Sequence, residues 1–238
     1  MYKVTIVGEA GINWDGDFRE AYELIDEIQG AGADLVKFQL YSVDSLFPDK
    51  KIIVGGKNYY DIVKKCELSF TQAKELFEYG NHVGIEVFFS VFDTTRVEWC
   101  EKIGVKTYKV GARSIKDGFL ANRLREIGKP VIVSFPYGET SQVYLWGFSN
   151  WIYCIPVYPT KLKGMDLHVA DFSLFRGLSE HSPYIEPAIV AVSKGAKIIE
   201  KHITLNRSLG IGPDHSSSIE PKELKELVKI VRNIEKCL

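Results

Sequence analysis

Along this chain of 238 residues the hydrophobic positions switch repeatedly between a period of two and a period of 3.6. Short apolar runs predict strands over residues 4–8, 35–40, 86–91, 107–111, 131–135, 152–157, 177–181 and 197–204. Each is followed by a stretch with helical spacing, over residues 18–29, 71–82, 95–103, 119–127, 143–147, 168–175, 185–193 and 221–237. Asp17 with Glu20, and Ser69 with Gln72, have the spacing of a capping box. Pro221 stands where a first-turn proline belongs, and Gly32, Gly104, Gly128 and Gly195 mark helix exits.

Eight strand–helix units in a chain of this length predict an α/β fold, a single-domain (β/α)8 TIM barrel, which typically takes about 250 residues. A doubly wound sheet is the alternative, but no glycine-rich turn opens the first helix as a nucleotide fold requires. Residues 1–238 show no composition break, low-complexity segment or internal repeat, so one domain is expected. Residues 41–68, after the second strand, form an unusually long connection, the expected mark of a functional lid.

Composition narrows the function classes. With 30 Lys and Arg against 31 Asp and Glu, the formal charge is -1, which gives no electrostatic case for nucleic acid or an anionic membrane as partner. No apolar run approaches the ~20 residues of a membrane span, and a strand starts at once after Lys3, so no signal peptide is expected. Cys66, Cys100, Cys154 and Cys237 are widely spaced without a Cys-x-x-Cys motif, as expected for reduced thiols in a cytoplasmic protein.

In such a barrel the chemistry sits at the C-terminal ends of the strands. Strand parity then selects residues. Lys37 shares a face with Gln39, Lys109 with Thr107, and Glu200 with His202, while Glu9, Ser90, Ser134 and Ser179 fall at or near other strand ends. Interior lysines are rare unless paired. Two of them among hydroxyls predict a pocket for a small, multiply charged anion such as a phosphate ester. His181 and His202, at the ends of the seventh and eighth strands, can hold a divalent metal with positions left open for substrate. His215 reads as a loop hydrogen-bonder rather than a third ligand. Trp14 either floors the site or packs at the rim.

These residues resemble the sialic acid synthase family (N-acetylneuraminate synthase and its legionaminic and pseudaminic relatives). The matching segments are Glu9-Ala10-Gly11-Ile12-Asn13, Gly32 through Gln39, Tyr60 through Leu68, Phe89-Ser90-Val91-Phe92-Asp93 and Tyr108-Lys109-Val110-Gly111. Tyr158-Pro159-Thr160, Gly177-Leu178-Ser179-Glu180-His181-Ser182 and the segment 195–221 continue the match nearly to the end of the chain.

The resemblance implies condensation of phosphoenolpyruvate with a 2-acetamido-sugar aldehyde, such as N-acetylmannosamine, to give a nine-carbon 2-keto sugar acid and phosphate. It implies His181 and His202 as ligands of a divalent metal, manganese first, with magnesium and cobalt as alternatives. Lys37, Ser90, Lys109, Ser134, Tyr158 and Ser179 would hold phosphoenolpyruvate. Gln39, Glu9 and Asp214 would face the sugar and the water that ends on C2, with Glu9 or Asp214 accepting its proton. Lys109 is counted with these two as catalytic, and Phe92 and Arg113 complete the substrate-binding set.

Three departures stand out. Ala112, Arg113 and Ser114 replace the family's usual small residue, glycine and acid, so Arg113 either supplies charge or narrows the acceptor pocket. The sixth-strand motif reads Tyr153-Cys154-Ile155-Pro156 and loses polar residues, and Ser134 is followed by Phe135-Pro136. Typical members also continue past the barrel into a small antifreeze-like domain, so a barrel-only member is expected, with barrel-to-barrel association into a homo-oligomer compatible with it. Two other readings stay open: a metal-dependent aldolase or lyase with a different acceptor, and a catalytically weak binding partner in surface-polysaccharide synthesis.

Overall fold

The apolar runs pair side by side, all parallel, and close on themselves. The computed structural model describes residues 3–54, 57–139, 147–163, 165–208, 210 and 212–237. Its barrel strands are β1 (Thr5–Gly11), β2 (Leu35–Leu40), β3 (Glu86–Val91), β4 (Tyr108–Val110), β5 (Val131–Pro136), β6 (Asn150–Ile155), β7 (Gly177–Glu180) and β8 (Ile198–His202). They follow one another in chain order around a closed barrel, with β8 beside β1. Helices Phe18–Gly30, Phe70–Val83, Thr94–Ile103, Gly118–Ile127, Glu186–Ser193 and Pro221–Cys237 flank it. The last helix buries Leu224, Leu227, Val228 and Val231, the stripe its 3.6-residue spacing predicts. No helix among the described residues is long and apolar enough to cross a membrane. All four cysteines are free.

Local chemistry explains the boundaries. Ser69 and Gln72 form the expected reciprocal capping box, but Asp17 caps its helix by accepting from the Arg19 amide, without Glu20. Gly104 and Gly128 take left-handed conformations at φ 93° and 72°, closing two helices where a Cβ would be strained. β1 runs on to Gly11, so Glu9 lies within the strand rather than at its end; a bulge between Glu9 and Gly11 shifts the register to β2.

Two expected helices differ. Residues 168–175 form successive turns, because Asp171 accepts from the Ser173 amide (2.8 Å) and hydroxyl (2.6 Å), a local alternative to helical bonding. The expected helix over 143–147 lies outside the described residues except for Gly147. The connection 41–68 is more than a loop: it carries helices Val43–Leu46 and Tyr59–Lys65 and a hairpin pairing Ile53–Val54 with Lys57–Asn58.

Gly177 is fixed by packing. It pairs with Ile198, and a Cβ added to it would lie 2.0 Å from the Ile198 carbonyl oxygen, a backbone atom that cannot swing aside. Gly177→Ala is therefore expected to cost at least the ~1–3 kcal/mol of overpacking. Urea unfolding checks this; an unchanged midpoint would contradict it.

Candidate active site

Period-two alternation turns Glu9, Lys37, Lys109, Ser179, Glu200 and His202 to the barrel interior, and register sets their levels. Glu9 stands opposite Lys37 and His202, Gln39 opposite Ser90, Ser90 opposite Lys109, and Glu200 opposite Ser179. A cavity of about 400 Å³ opens at the C-terminal ends of the strands, where this fold keeps its chemistry. Every site residue expected from the sequence lines it: Glu9, Lys37, Gln39, Ser90, Phe92, Lys109, Arg113, Ser134, Tyr158, Ser179, His181, His202 and Asp214.

The floor is an ion cluster. Glu9, Lys37, Lys109, Glu200 and His202 are each at most 4% exposed. Lys37 Nζ donates to Ser90 Oγ at 2.9 Å and lies 3.2 Å from both Glu9 Oε2 and Glu200 Oε2. Lys109 Nζ donates to Ser134 Oγ at 2.7 Å and stands 3.7 Å from Glu200 Oε1, which accepts from Ser179 Oγ at 2.8 Å. The two lysines are thus not bare cations awaiting an anion, because Glu200 lies between them.

Burial would raise the Glu200 carboxyl, but Lys109 and Lys37 outweigh it and hold it down at about 2. Burial pulls Lys37 down, but Glu200 and Glu9 outweigh it and leave it above the ordinary lysine value. Lys109 is left below that value, because burial outweighs the help it has from Glu200. Glu9 goes the other way from Glu200. Burial, opposed by Lys37 and reinforced by Glu200, pushes its carboxyl up to about 7, while Gln39 Nε2 donates to its Oε1 at 3.0 Å.

That inequality has a measurable consequence. The folded value of about 7 lies above the ~4.3 of an unfolded glutamate, so the native state holds the proton more tightly. The contribution to stability is full below the unfolded value and is lost as pH rises through about 7. In metal-free protein Glu9→Gln is expected to add on the order of 1 kcal/mol at pH 8 and little at pH 5. Each kcal/mol moves the melting temperature by about 2–4 °C, so thermal melts at the two pH values decide it. Equal shifts at both would contradict it.

At the rim two imidazoles stand side by side, ring centroids 5.1 Å apart. His181 Nδ1 lies 2.6 Å from the Ile155 carbonyl and must donate to it, which leaves Nε2 as the lone-pair nitrogen, 2.7 Å from the Tyr158 hydroxyl. Burial keeps both rings neutral: His181 is pulled down to about 4, and His202, with His181 and Lys37 also acting on it, well below the ordinary imidazole value. His202 Nδ1 is buried without a hydrogen-bond partner and lies 3.7 Å from Asp214 Oδ2. Burial pushes the Asp214 carboxyl up to about 6, against His215 and Lys37.

Two neutral imidazoles, His181 oriented by the Ile155 carbonyl and His202 with an orphaned buried nitrogen, fit a divalent ion. Among the described residues no group of three His, Cys, Asp or Glu is close enough to hold one, so two protein ligands and open positions are what the residues allow.

Tyr41, Leu46, Phe47, Tyr59 and Val63, all from the connection 41–68, also line the cavity, and sequence reasoning marked that connection without naming them as site residues. Arg113 reaches toward them: Nη2 donates to the Leu46 carbonyl at 2.5 Å, and the guanidinium lies 4.6 Å from the Phe47 ring centroid. Glu200 was also missed as a site residue, although its parity with His202 is legible. Trp14 does not line the cavity; it packs edge-on against Phe18 at 6.2 Å.

A model of the NeuB family matches residues 24–145 and 148–238. The chain is 30% identical to an N,N'-diacetyllegionaminic acid synthase of Campylobacter jejuni, over 100% of this chain and 78% of that protein. It is 32% identical to the human N-acetylneuraminate-9-phosphate synthase, over 98% of this chain and 70% of that one. It superposes on the crystal structure of an N-acetylneuraminic acid (sialic acid) synthetase from Leptospira borgpetersenii with a TM-score of 0.90 at 30% identity, covering 99% of this chain and 85% of that one.

Proposed function

Because this chain belongs to the NeuB family, whose named relatives here are sialic-acid-type synthases, we propose that it condenses phosphoenolpyruvate with a 2-acetamido-sugar aldehyde. The products are a nine-carbon 2-keto sugar acid and phosphate, with N-acetylmannosamine as the reference acceptor. The observation that carries this reading is the two-level cavity: lysines and serines around one ionised glutamate at the floor, and two neutral imidazoles beside an acid at the rim.

At the floor, Lys37 and Lys109 take the phosphate and carboxylate of phosphoenolpyruvate, with Ser90, Ser134 and Ser179 as neutral donors, and Tyr158 reaches the same anion from the rim when its hydroxyl turns from His181 Nε2. Glu200 holds both ammoniums in place beforehand, so the anion exchanges one ion pair for another instead of meeting disordered side chains. At the rim, His181 and His202 would hold a divalent ion, manganese first, with magnesium or cobalt as alternatives. Such an ion supplies Lewis-acid polarisation of the acceptor's aldehyde oxygen.

The enol carbon forms the new bond to the aldehyde carbon, whose oxygen takes a proton to become a hydroxyl. A water oxygen bonds to C2, the C2–O bond to phosphate breaks, and the two protons that water loses balance the new hydroxyl and the hydrogen phosphate released. Glu9 and Asp214, with carboxyls raised to about 7 and about 6, are suited to accept that water's proton near neutral pH. Gln39 fixes the Glu9 carboxylate. Phe92, in the wall, stands edge-on to Tyr41 at 6.0 Å, and Arg113 pins the lid that keeps bulk water out.

Mass spectrometry of the product from phosphoenolpyruvate, N-acetylmannosamine and manganese tests this directly. A nine-carbon 2-keto acid is the expected result, and pyruvate with unchanged sugar would contradict it.

A further inference from the structure

The acid at the rim is carried by a short 3-10 turn, Pro213–Ser217, whose geometry is set from behind by a histidine outside the cavity lining. His215 is 4% exposed. Its Nε2 lies 3.1 Å from Asp15 Oδ1, and its Nδ1 lies 2.7 Å from Thr204 Oγ1. A carboxylate only accepts, so Nε2 carries the proton given to Asp15, and Thr204 occupies the other nitrogen. Neither nitrogen remains for a metal or a substrate, as the sequence reading expects of a loop hydrogen-bonder.

Gly210 lies against the ring: a Cβ there would come within 1.9 Å of His215 Cγ. The imidazole therefore ties the turn to the loop after β1, to the end of β8 and to the loop before the turn. A second tether converges on Asp214 itself. Its main-chain oxygen accepts from Ser218 Oγ (2.7 Å), which accepts from Asn13 Nδ2 (2.8 Å), and the same amide donates to the Ile203 carbonyl (2.9 Å).

We propose that His215, clamped by Asp15 and Thr204, is a positioning residue that holds the Asp214 carboxylate at the cavity wall beside His202. Its effect on rate rests on the synthase reading above; its effect on geometry does not. A histidine so buried is a poor target for replacement, whereas Asp15 sits at the edge of the network.

With wild-type turnover of phosphoenolpyruvate and acceptor as reference, Asp15→Ala is expected to lower kcat about 10²-fold through misplacement of the acid, with KM for phosphoenolpyruvate unchanged. Asp15→Asn, whose side-chain carbonyl still accepts from Nε2, restores kcat. In an Asp214→Asn background Asp15→Ala has no further effect on kcat. A merely structural Asp15 would lower kcat in both backgrounds alike, which overturns the proposal.

Crystal structures of the wild type and Asp15→Ala give the readout that needs no activity. An Asp214 carboxylate displaced from the cavity wall supports the clamp, and one left in place overturns it. If the wild type turns over no phosphoenolpyruvate, the synthase reading fails and the two crystal structures alone decide the clamp.

Discussion

Glu200→Ala is expected to destabilise the protein by about 3–5 kcal/mol, the range measured when one partner of a buried ion pair is removed. Glu200 is the centre of the floor. It faces Lys37 at 3.2 Å and Lys109 at 3.7 Å and accepts from Ser179. Without it Lys37 keeps Glu9 and Ser90, so its charge remains matched. Lys109 keeps only neutral oxygens, Ser134 Oγ at 2.7 Å and the Val110 carbonyl at 3.3 Å, around an ammonium that is almost wholly buried. The loss therefore falls mainly on Lys109.

Adding Lys109→Met to the Glu200→Ala variant should recover much of the stability, because it removes the orphaned charge and fills its volume with an apolar chain. Urea unfolding of the two variants checks this. An unchanged midpoint for Glu200→Ala would show that the floor charges do not depend on it.

His202→Ala should abolish metal-dependent turnover while the fold persists. Lewis-acid polarisation contributes several kcal/mol, and each 1.36 kcal/mol is tenfold in rate, so the loss should reach about 10³-fold. Manganese binding followed by titration calorimetry should be lost in parallel. His202 Nδ1 has no hydrogen-bond partner in the fold, so no hydrogen bond at that nitrogen is given up by the substitution. Metal-dependent turnover surviving in the variant would remove His202 from the proposed ligand pair.

The barrel was legible because its strands obey one rule throughout. Short apolar runs such as Leu35–Leu40 and Glu86–Val91 stand out between helical stretches, so those two strands fall where expected, whereas the bulge after Glu9 and the register between strands come only from the fold. The site was legible for the same reason: parity alone places Lys37, Lys109 and His202 inside. The family resemblance is borne out by the match over most of the chain.

What was hidden depended on contacts between distant segments. The apolar spacing of residues 168–175 suggests a helix, yet Asp171 and Ser173 satisfy one another locally and turn the chain. The lid aromatics Tyr41, Phe47 and Tyr59 give no periodic signal that ties them to the cavity. Arg113 lines the cavity as expected, but its bond to a carbonyl 67 residues away could not be read from the sequence. Glu200 was visible as an inward acid, but its bridging role needs three strands at once.

The most direct test of the proposed activity is phosphate release from phosphoenolpyruvate by the purified protein, with and without manganese and N-acetylmannosamine, beside His202→Ala. Release that requires both metal and sugar, and that disappears in the variant, is the predicted result. Release independent of the sugar, or equal in the variant, would contradict the condensation.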